Sequence, residues 1–130
     1  MGRGMRRGGR RNTGDGRGRE RGAVTAETAV VLPALVLILA VLLGAASAGM
    51  TQLRLEEAAR AGARELARGE AAGSVEATVR RLAGPGAELD VAGEGGWTSV
   101  TVSSGVDGPL ADVFGIRLSA TASGWSEHGR

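Results

Sequence analysis

The sequence predicts an α+β fold. A long N-terminal helix, first transmembrane and then amphipathic, is followed by a short second helix and a small three-stranded antiparallel β head. Three observations predict this fold. No charged residue occurs from Thr28 to Leu53. A helix-forming, amphipathic segment then continues to Arg68 without a proline. After Pro85, apolar and polar residues alternate with the period of two that is typical of strands.

Residues 1–22 form a basic leader that contains eight arginines against two acids, Asp15 and Glu20. The leader has no apolar periodicity, so we expect it not to fold alone. Arginine- and glycine-rich segments that bind nucleic acids usually contain aromatic residues that stack on bases, and this leader contains none. We therefore favour a leader that holds the N-terminus at the anionic cytoplasmic surface, and we expect no nucleic-acid partner.

The uncharged run between Thr28 and Leu53 is longer than the roughly 20 residues that a helix needs to cross the hydrocarbon core. We place the transmembrane part at about residues 28–50. Within lipid, every backbone N–H and C=O needs an internal partner, so this segment must be helical. Arginines that flank one end of a span keep that end in the cytoplasm, which predicts a single-pass protein with its C-terminus outside.

Three interpretations of residues 22–52 are open at this point. Signal peptidase could cut after Ala46-Ser47-Ala48, which fits an A-x-A site and would release a secreted protein. The apolar segment could instead remain as an uncleaved signal anchor, which requires only its length. In both cases the β head would bind an external partner. The third interpretation is a pilin-like leader that is removed just before the apolar segment.

The third interpretation is favoured by GAVTAE at residues 22–27. This string resembles the prepilin peptidase site of type IV pilins and pseudopilins, and the order of span, charged helix and small head is similar to the TadE-like family of tight-adherence pili. The resemblance covers about residues 17–70. It implies a cut between Gly22 and Ala23 by a prepilin peptidase, and a role as a pseudopilin or minor pilin in the membrane or in an extracellular pilus. Many pilins have an aromatic first residue where this chain has Ala23.

Glu27 is a carboxylate at the start of the apolar run. Such a group near hydrocarbon costs a few kcal/mol unless it is paired. The resemblance implies that Glu27 meets the new α-amine on Ala23 of a neighbouring subunit and thereby sets the axial register. That amine is largely protonated at neutral pH. Alternatively, Glu27 reaches the lipid headgroups or stabilises the helix N-terminus.

Two further features of the span concern its shape and its packing. Pro33 is expected to kink the helix, because it cannot bond to the carbonyl of Ala29. Small residues at a spacing of four allow helices to approach closely in lipid. We therefore expect helix packing at two such pairs, Gly44 with Ala48 and Ala45 with Gly49.

The span is expected to be part of one continuous helix at residues 23–69, which leaves the membrane and ends with Gly69 as its C-cap. Its apolar stripe is predicted at Leu55, Ala59, Gly62 and Leu66. Glu56 stands four residues before Arg60, which favours an ion pair. A second helix is predicted at residues 74–84, with Ser74 as its N-cap. Its apolar face would consist of Val75, Val79 and Leu82.

The β head is predicted at residues 85–125, with a turn at residues 93–96. Its strand patterns lie near residues 87–91, 97–102 and 116–122. In the segment between the last two strands, Leu110, Val113 and Phe114 are expected to cover an edge of the core. Trp97 and Trp125 are predicted to belong to the core or rim of the head rather than to a ligand site. Residues 126–130 are predicted to be a frayed tail.

The chain lacks the residue patterns of an enzyme. Its single histidine, His128, lies in the tail, so no Ser-His-Asp arrangement is credible. It has no cysteine, which removes disulfides and thiolate metal sites. There is no P-loop and no dinucleotide fingerprint. We therefore expect no catalytic residue, metal site, cofactor or small-molecule substrate. The expected partners are the cytoplasmic membrane, a prepilin peptidase and other pilin-like subunits.

Overall fold

The computed structural model describes residues 1, 2, 4, 8, 9 and 16–126, and it confirms the predicted α+β fold. It divides into two units, Met1–Ile38 and Leu39–Arg130. The elements in chain order are α1 (Gly16–Ala67), α2 (Ala72–Ala83), β1 (Glu88–Glu94), β2 (Trp97–Gly105), α3 (Pro109–Phe114) and β3 (Arg117–Trp125). The tail residues 127–130, including His128, lie outside the described residues.

Helix α1 begins at Gly16 rather than at the expected Ala23. Arginine and glutamate are good helix formers, and adding residues to an existing helix costs far less than starting one. The last part of the leader, residues 16–22, is therefore helical. Most of the remaining leader lies outside the described residues.

The end of α1 is the Schellman arrangement that a glycine C-cap predicts. Gly69 has a φ of 78°. Its N–H donates to the carbonyl of Leu66 at 2.9 Å, and the N–H of Glu70 donates to the carbonyl of Glu65 at 3.1 Å. These two bonds satisfy carbonyls that a helix end would otherwise leave without partners. The predicted C-cap role of Gly69 is confirmed.

Helix α2 begins earlier than predicted, and the prediction that Ser74 caps it is wrong. The N-cap is Ala71, which makes no side-chain cap hydrogen bond. Ser74 lies inside the first turn, where its backbone N–H donates to the carbonyl of Ala71 at 2.9 Å. The predicted apolar face is confirmed, since Val75 and Val79 are both buried.

The three strands form one antiparallel sheet in the order β1-β2-β3. Val100 lies at its centre, paired with Val91 of β1 and with Ala122 of β3. The inner face of the sheet packs with α1 and α2 in one core. Its buried members are Leu55, Ala58, Ala59, Ala63, Val75, Val79, Ala87, Val100, Val102 and Ala120. Among the described residues, no polar or charged residue is buried.

The apolar stripe predicted on the second half of α1 is confirmed. Leu55 and Ala59 are buried, and Leu66 packs against the core from its edge. Gly62 lies in the same stripe, directly under α2 and β2. A Cβ atom on Gly62 would lie 3.2 Å from Val79 Cγ2 and 3.3 Å from Val100 Cγ1. The absence of a side chain there allows α1 to approach both elements closely.

One prediction about the head is wrong in part. Val113 and Phe114 do not cover the core edge, because their residues are 76% and 72% exposed. They lie on α3, a short helix within the segment that interrupts the sheet. Of the three residues predicted to cover the edge only Leu110 is half-buried, and the buried residue of α3 is Ala111. Trp97 and Trp125 lie at the rim of the head, which is one of the two predicted positions, since they are 55% and 54% exposed.

The two tryptophans lie at the same end of the sheet as the β1–β2 turn. Their rings pack edge to face, with centroids 5.4 Å apart. The turn consists of Gly95 and Gly96, with φ values of 59° and 86°. Two consecutive positive φ values are typical of the type I′ turn, whose twist matches that of the strands it joins. A Cβ atom on Gly96 would lie 3.2 Å from the Trp125 ring.

We expect Gly96→Ala to destabilise the head by about 1–2 kcal/mol, because an L-residue disfavours this left-handed conformation. Urea unfolding of the full chain in detergent, followed by tryptophan fluorescence, measures the change. Gly86→Ala is the control: a Cβ there meets no atom within 4 Å. Equal unfolding midpoints for the two variants would show that the turn is not strained by a side chain.

Candidate functional site: the apolar helix and its acidic residue

The candidate site lies in the first two thirds of α1. Among the described residues, α1 is the one helix long and apolar enough to cross a membrane, and no residue of its most apolar window is buried. Large aliphatic side chains that are at least 46% exposed follow one another along it, including Val31, Leu35 and Leu42. An unburied apolar surface all around a helix is typical of a membrane span. This helix fits a single-pass membrane protein.

Glu27 lies on α1 where this apolar surface begins, and it is exposed. Within the described residues of this one chain, it forms no ion pair. The nearby hydroxyls are satisfied within the helix itself. Thr25 Oγ1 donates to the carbonyl of Arg21 at 2.8 Å, and Thr28 Oγ1 donates to that of Val24 at 2.9 Å. Glu27 is thus an exposed carboxylate at the edge of the apolar surface, with no hydrogen bond or ion pair from the described residues.

The peptide bond between Gly22 and Ala23 lies within α1 and is exposed. A Cβ on Gly22 would meet no atom within 4 Å, so the surroundings of this bond are open. Glycine in a helix interior is about 1 kcal/mol less favourable than alanine. Gly22 therefore weakens the helix where the predicted cut would fall, as Gly18 does one turn earlier. Ala23 stands four residues before Glu27, which places both on one face of the helix.

Pro33 lies inside α1, and the helix continues through it. Its missing N–H leaves the carbonyl of Ala29 without its intrahelical donor. In lipid such a carbonyl requires a substitute partner or a local adjustment of the helix. The predicted kink at Pro33 stays a prediction.

The four small residues predicted to pack helices lie on two different sides of α1. Gly44 and Ala48 are partly covered, whereas Ala45 and Gly49 are exposed. A Cβ on Gly44 would lie 3.7 Å from Leu110 Cδ1 of α3, while one on Gly49 would meet nothing within 4 Å. The pair Ala45 and Gly49 is thus open to another helix, and Gly44 and Ala48 face the head of their own chain.

Sequence reasoning missed the contact between the head and the upper part of the apolar run. Besides the packing of Leu110 near Gly44, Ser47 Oγ donates to the carbonyl of Asp107 at 2.9 Å. Farther along, Gln52 Nε2 donates to the carbonyl of Ser119 at 3.3 Å. No local sequence pattern predicts these contacts, because the partners are 60 and 67 residues apart in the chain.

Comparison with protein families gives a match for the apolar helix. Residues 22–64 match the family described as TadE-like protein. This chain contains a TadE-like region. The matched range lies entirely within α1, and it starts at Gly22, the residue before the predicted cut. The resemblance seen in the sequence is confirmed. Comparison with curated proteins and with solved structures finds no match.

The TadE-like region contains the whole candidate site. It includes Gly22, Ala23, Glu27 and Pro33, the small residues between Gly44 and Gly49, and the start of the amphipathic segment that packs on the head. The second helix and the β head lie beyond it. The family likeness therefore concerns the helix.

Proposed function

We propose that this chain is a pilin-like structural subunit, a pseudopilin or minor pilin, of a tight-adherence pilus or a related secretion assembly. The observation that supports it most is the TadE-like match that starts at Gly22 and continues through the apolar helix. The exposed apolar surface of α1 supports the same conclusion, since it requires either lipid or other helices to cover it.

The maturation step in this proposal is hydrolysis of one peptide bond. A prepilin peptidase adds water across the bond between Gly22 and Ala23, which leaves a carboxylate on Gly22 and an α-amine on Ala23. The basic leader is lost, and the mature chain begins with a cation four residues before the carboxylate of Glu27. At neutral pH that amine is largely protonated.

The assembly step pairs charges between subunits. Within one chain, Glu27 has no ionic partner among the described residues, and the helix around it is apolar. A neighbouring subunit, displaced along the helix axis, brings its Ala23 amine to this carboxylate. In surroundings of low dielectric the pair forms only when both groups are correctly placed, so it selects one axial register. The exposed pair of Ala45 and Gly49 allows a close approach of the helices farther along the span.

The proposal includes a location and an orientation. The protein is a single-pass protein of the cytoplasmic membrane with its N-terminus inside, because the arginine-rich flank remains in the cytoplasm. Its head faces outside, and the subunit can enter an extracellular pilus. We expect no enzymatic activity, cofactor, nucleic acid or small-molecule substrate.

The cut itself is testable with a pair of glycine variants. We expect Gly22→Leu to block processing by a co-expressed prepilin peptidase, because it places a bulky side chain at the scissile bond and strengthens the helix there by about 0.5–1 kcal/mol. Gly18→Leu is the matched control, since Gly18 also has open surroundings in α1 but lies away from the cut. Intact mass spectrometry reports the loss of residues 1–22. Processing of Gly22→Leu at the normal rate would refute the assignment of the site.

A further inference from the structure

The head exposes apolar side chains close to its contact with residues 44–47 of α1. Val113 and Phe114 of α3 are largely exposed, and Ile116, just after the helix, is 42% exposed. Leu110, Val113 and Phe114 stand at spacings of three and four, so they share one face of α3. Three exposed large apolar side chains next to one another need a cover.

The position of α3 along α1 indicates what this cover is. Leu110 lies near Gly44, and the backbone of Asp107 is bonded to Ser47. The first charge that follows on α1 is Arg54. Ten residues of helix from Gly44 to Arg54 correspond to about 15 Å. The polar interface of a bilayer is only roughly 5–8 Å thick on each side of the hydrocarbon core. If Arg54 lies at the membrane surface, this distance exceeds the thickness of the interface, and the contact of Leu110 with Gly44 lies in the outer part of the hydrocarbon, roughly 7–10 Å inside its boundary.

The surface of α1 at the same level is also apolar. Leu42, Leu43, Met50 and Leu53 are each more than 60% exposed. Val113, Phe114 and Ile116 therefore continue the apolar surface of the span instead of forming an isolated patch on a polar head. The acidic residues of the segment, Asp107 and Asp112, are exposed and can remain among headgroups and water. This distribution is typical of a short interfacial helix with one apolar and one polar side.

We propose that α3 and Ile116 form a membrane-embedded foot of the head, with Val113, Phe114 and Ile116 inserted into the outer boundary of the lipid. This inference rests on the proposed membrane span. The foot fixes the height of the head, because Leu110 and Asp107 connect α3 to residues 44–47 of α1. Lipid covers these three apolar side chains as long as the subunit is in the membrane and not yet assembled.

The chain contains no cysteine, so single cysteines can be labelled with a nitroxide without removing any native residue. The test uses the full chain in vesicles of phosphatidylcholine and phosphatidylglycerol. Oxygen, which concentrates in lipid, and a water-soluble nickel chelate are compared as relaxation agents. Val113→Cys is the test position. Val91→Cys is the matched control, because Val91 is a 47% exposed valine that pairs with Val100 in the middle of the sheet. Leu42→Cys reports on the span.

We expect oxygen to relax the label at position 113 more strongly than the nickel chelate does, as at position 42. At position 91 we expect the nickel chelate to have the stronger effect. If the ratio of the two relaxation effects at position 113 equals that at position 91 while position 42 lies in lipid, the foot is refuted and the span is retained. Protection of 113 from both agents, with dipolar broadening between labels, would assign the patch to a second copy and also overturn it. Access of nickel to both 42 and 113 would reject the span itself, and the foot with it.

Discussion

Replacing Glu27 by alanine is expected to leave membrane insertion intact and to abolish incorporation into the assembly. Insertion depends on the apolar length of α1, and removing a carboxylate from its edge makes the helix more apolar. Incorporation depends on the proposed pair between Glu27 and the Ala23 amine of a neighbour. Removing one member of a buried ion pair costs about 3–5 kcal/mol, because the other charge stays buried without a partner. We therefore expect incorporation to fall by more than roughly a hundredfold.

The amounts of the variant in membranes and in isolated assemblies are compared by immunoblotting. Glu20→Ala is the matched control, since it removes the same carboxylate from the leader that is cut off, and it should assemble normally. Glu27→Gln should fail as Glu27→Ala does, because the amide has nearly the same shape but no charge. Normal assembly of either Glu27 variant would reject the proposed role of this residue in register.

Replacing Gly62 by leucine is expected to have the largest effect on the head. Gly62 lies under Val79 of α2 and Val100 of β2, at distances that leave no room for a side chain. Overfilling a packed core costs typically about 1–3 kcal/mol and occasionally more. We expect the upper end of this range, because a leucine here pushes apart three elements that share one small core. A head of this size has little stability in reserve.

Urea unfolding followed by tryptophan fluorescence measures this loss, and limited proteolysis of the head provides a second readout. Gly73→Leu is the matched control, because Gly73 lies in the first turn of α2 with open surroundings. This control should keep or slightly raise the stability, since leucine forms helices better than glycine. An unfolding midpoint for Gly62→Leu equal to that of the wild type would contradict the packing of α1 under the sheet. Cleavage after Gly22 should be unaffected by either variant.

The sequence predicts α1, α2 and the three strands well because each of these elements has a strong periodic signal, which the six-residue α3 lacks. The stripe at Leu55, Ala59 and Gly62 recurs with the period of a helix, and the strands alternate with a period of two. The end of α1 is equally clear, since Gly69 is suited to the left-handed residue of a helix C-cap. The start of α1 at Gly16 is less predictable, because arginines and glycines without apolar residues give no periodicity.

What the sequence does not predict depends on contacts between distant segments. Leu110 points toward Gly44, while Val113 and Phe114, three and four residues later, are exposed. Apolar composition alone predicts all three as core. Similarly, the alternation in β2 is correct, yet it does not tell which of its faces α1 and α2 cover. Trp97 lies on the other face, where a tryptophan remains half exposed beside Trp125.

The candidate site is readable from sequence for a different reason. Gly22, Ala23 and Glu27 form a local pattern whose meaning lies in its spacing and in the apolar residues that follow. The family match over residues 22–64 covers all three residues, and their roles stay predictions. The small residues show the limit of such patterns. Gly44 and Ala48 fit a helix-packing motif as well as Ala45 and Gly49 do, but the first pair faces the head.

The most direct test of the whole account is the N-terminal residue of the protein recovered from membranes of cells that contain the assembly machinery. The account predicts Ala23, with the arginine-rich leader absent. An intact chain that still begins at Met1 would make the protein a simple membrane anchor, and a chain that begins at Gly49 would make it a secreted one. Either result would contradict a pilin-like subunit.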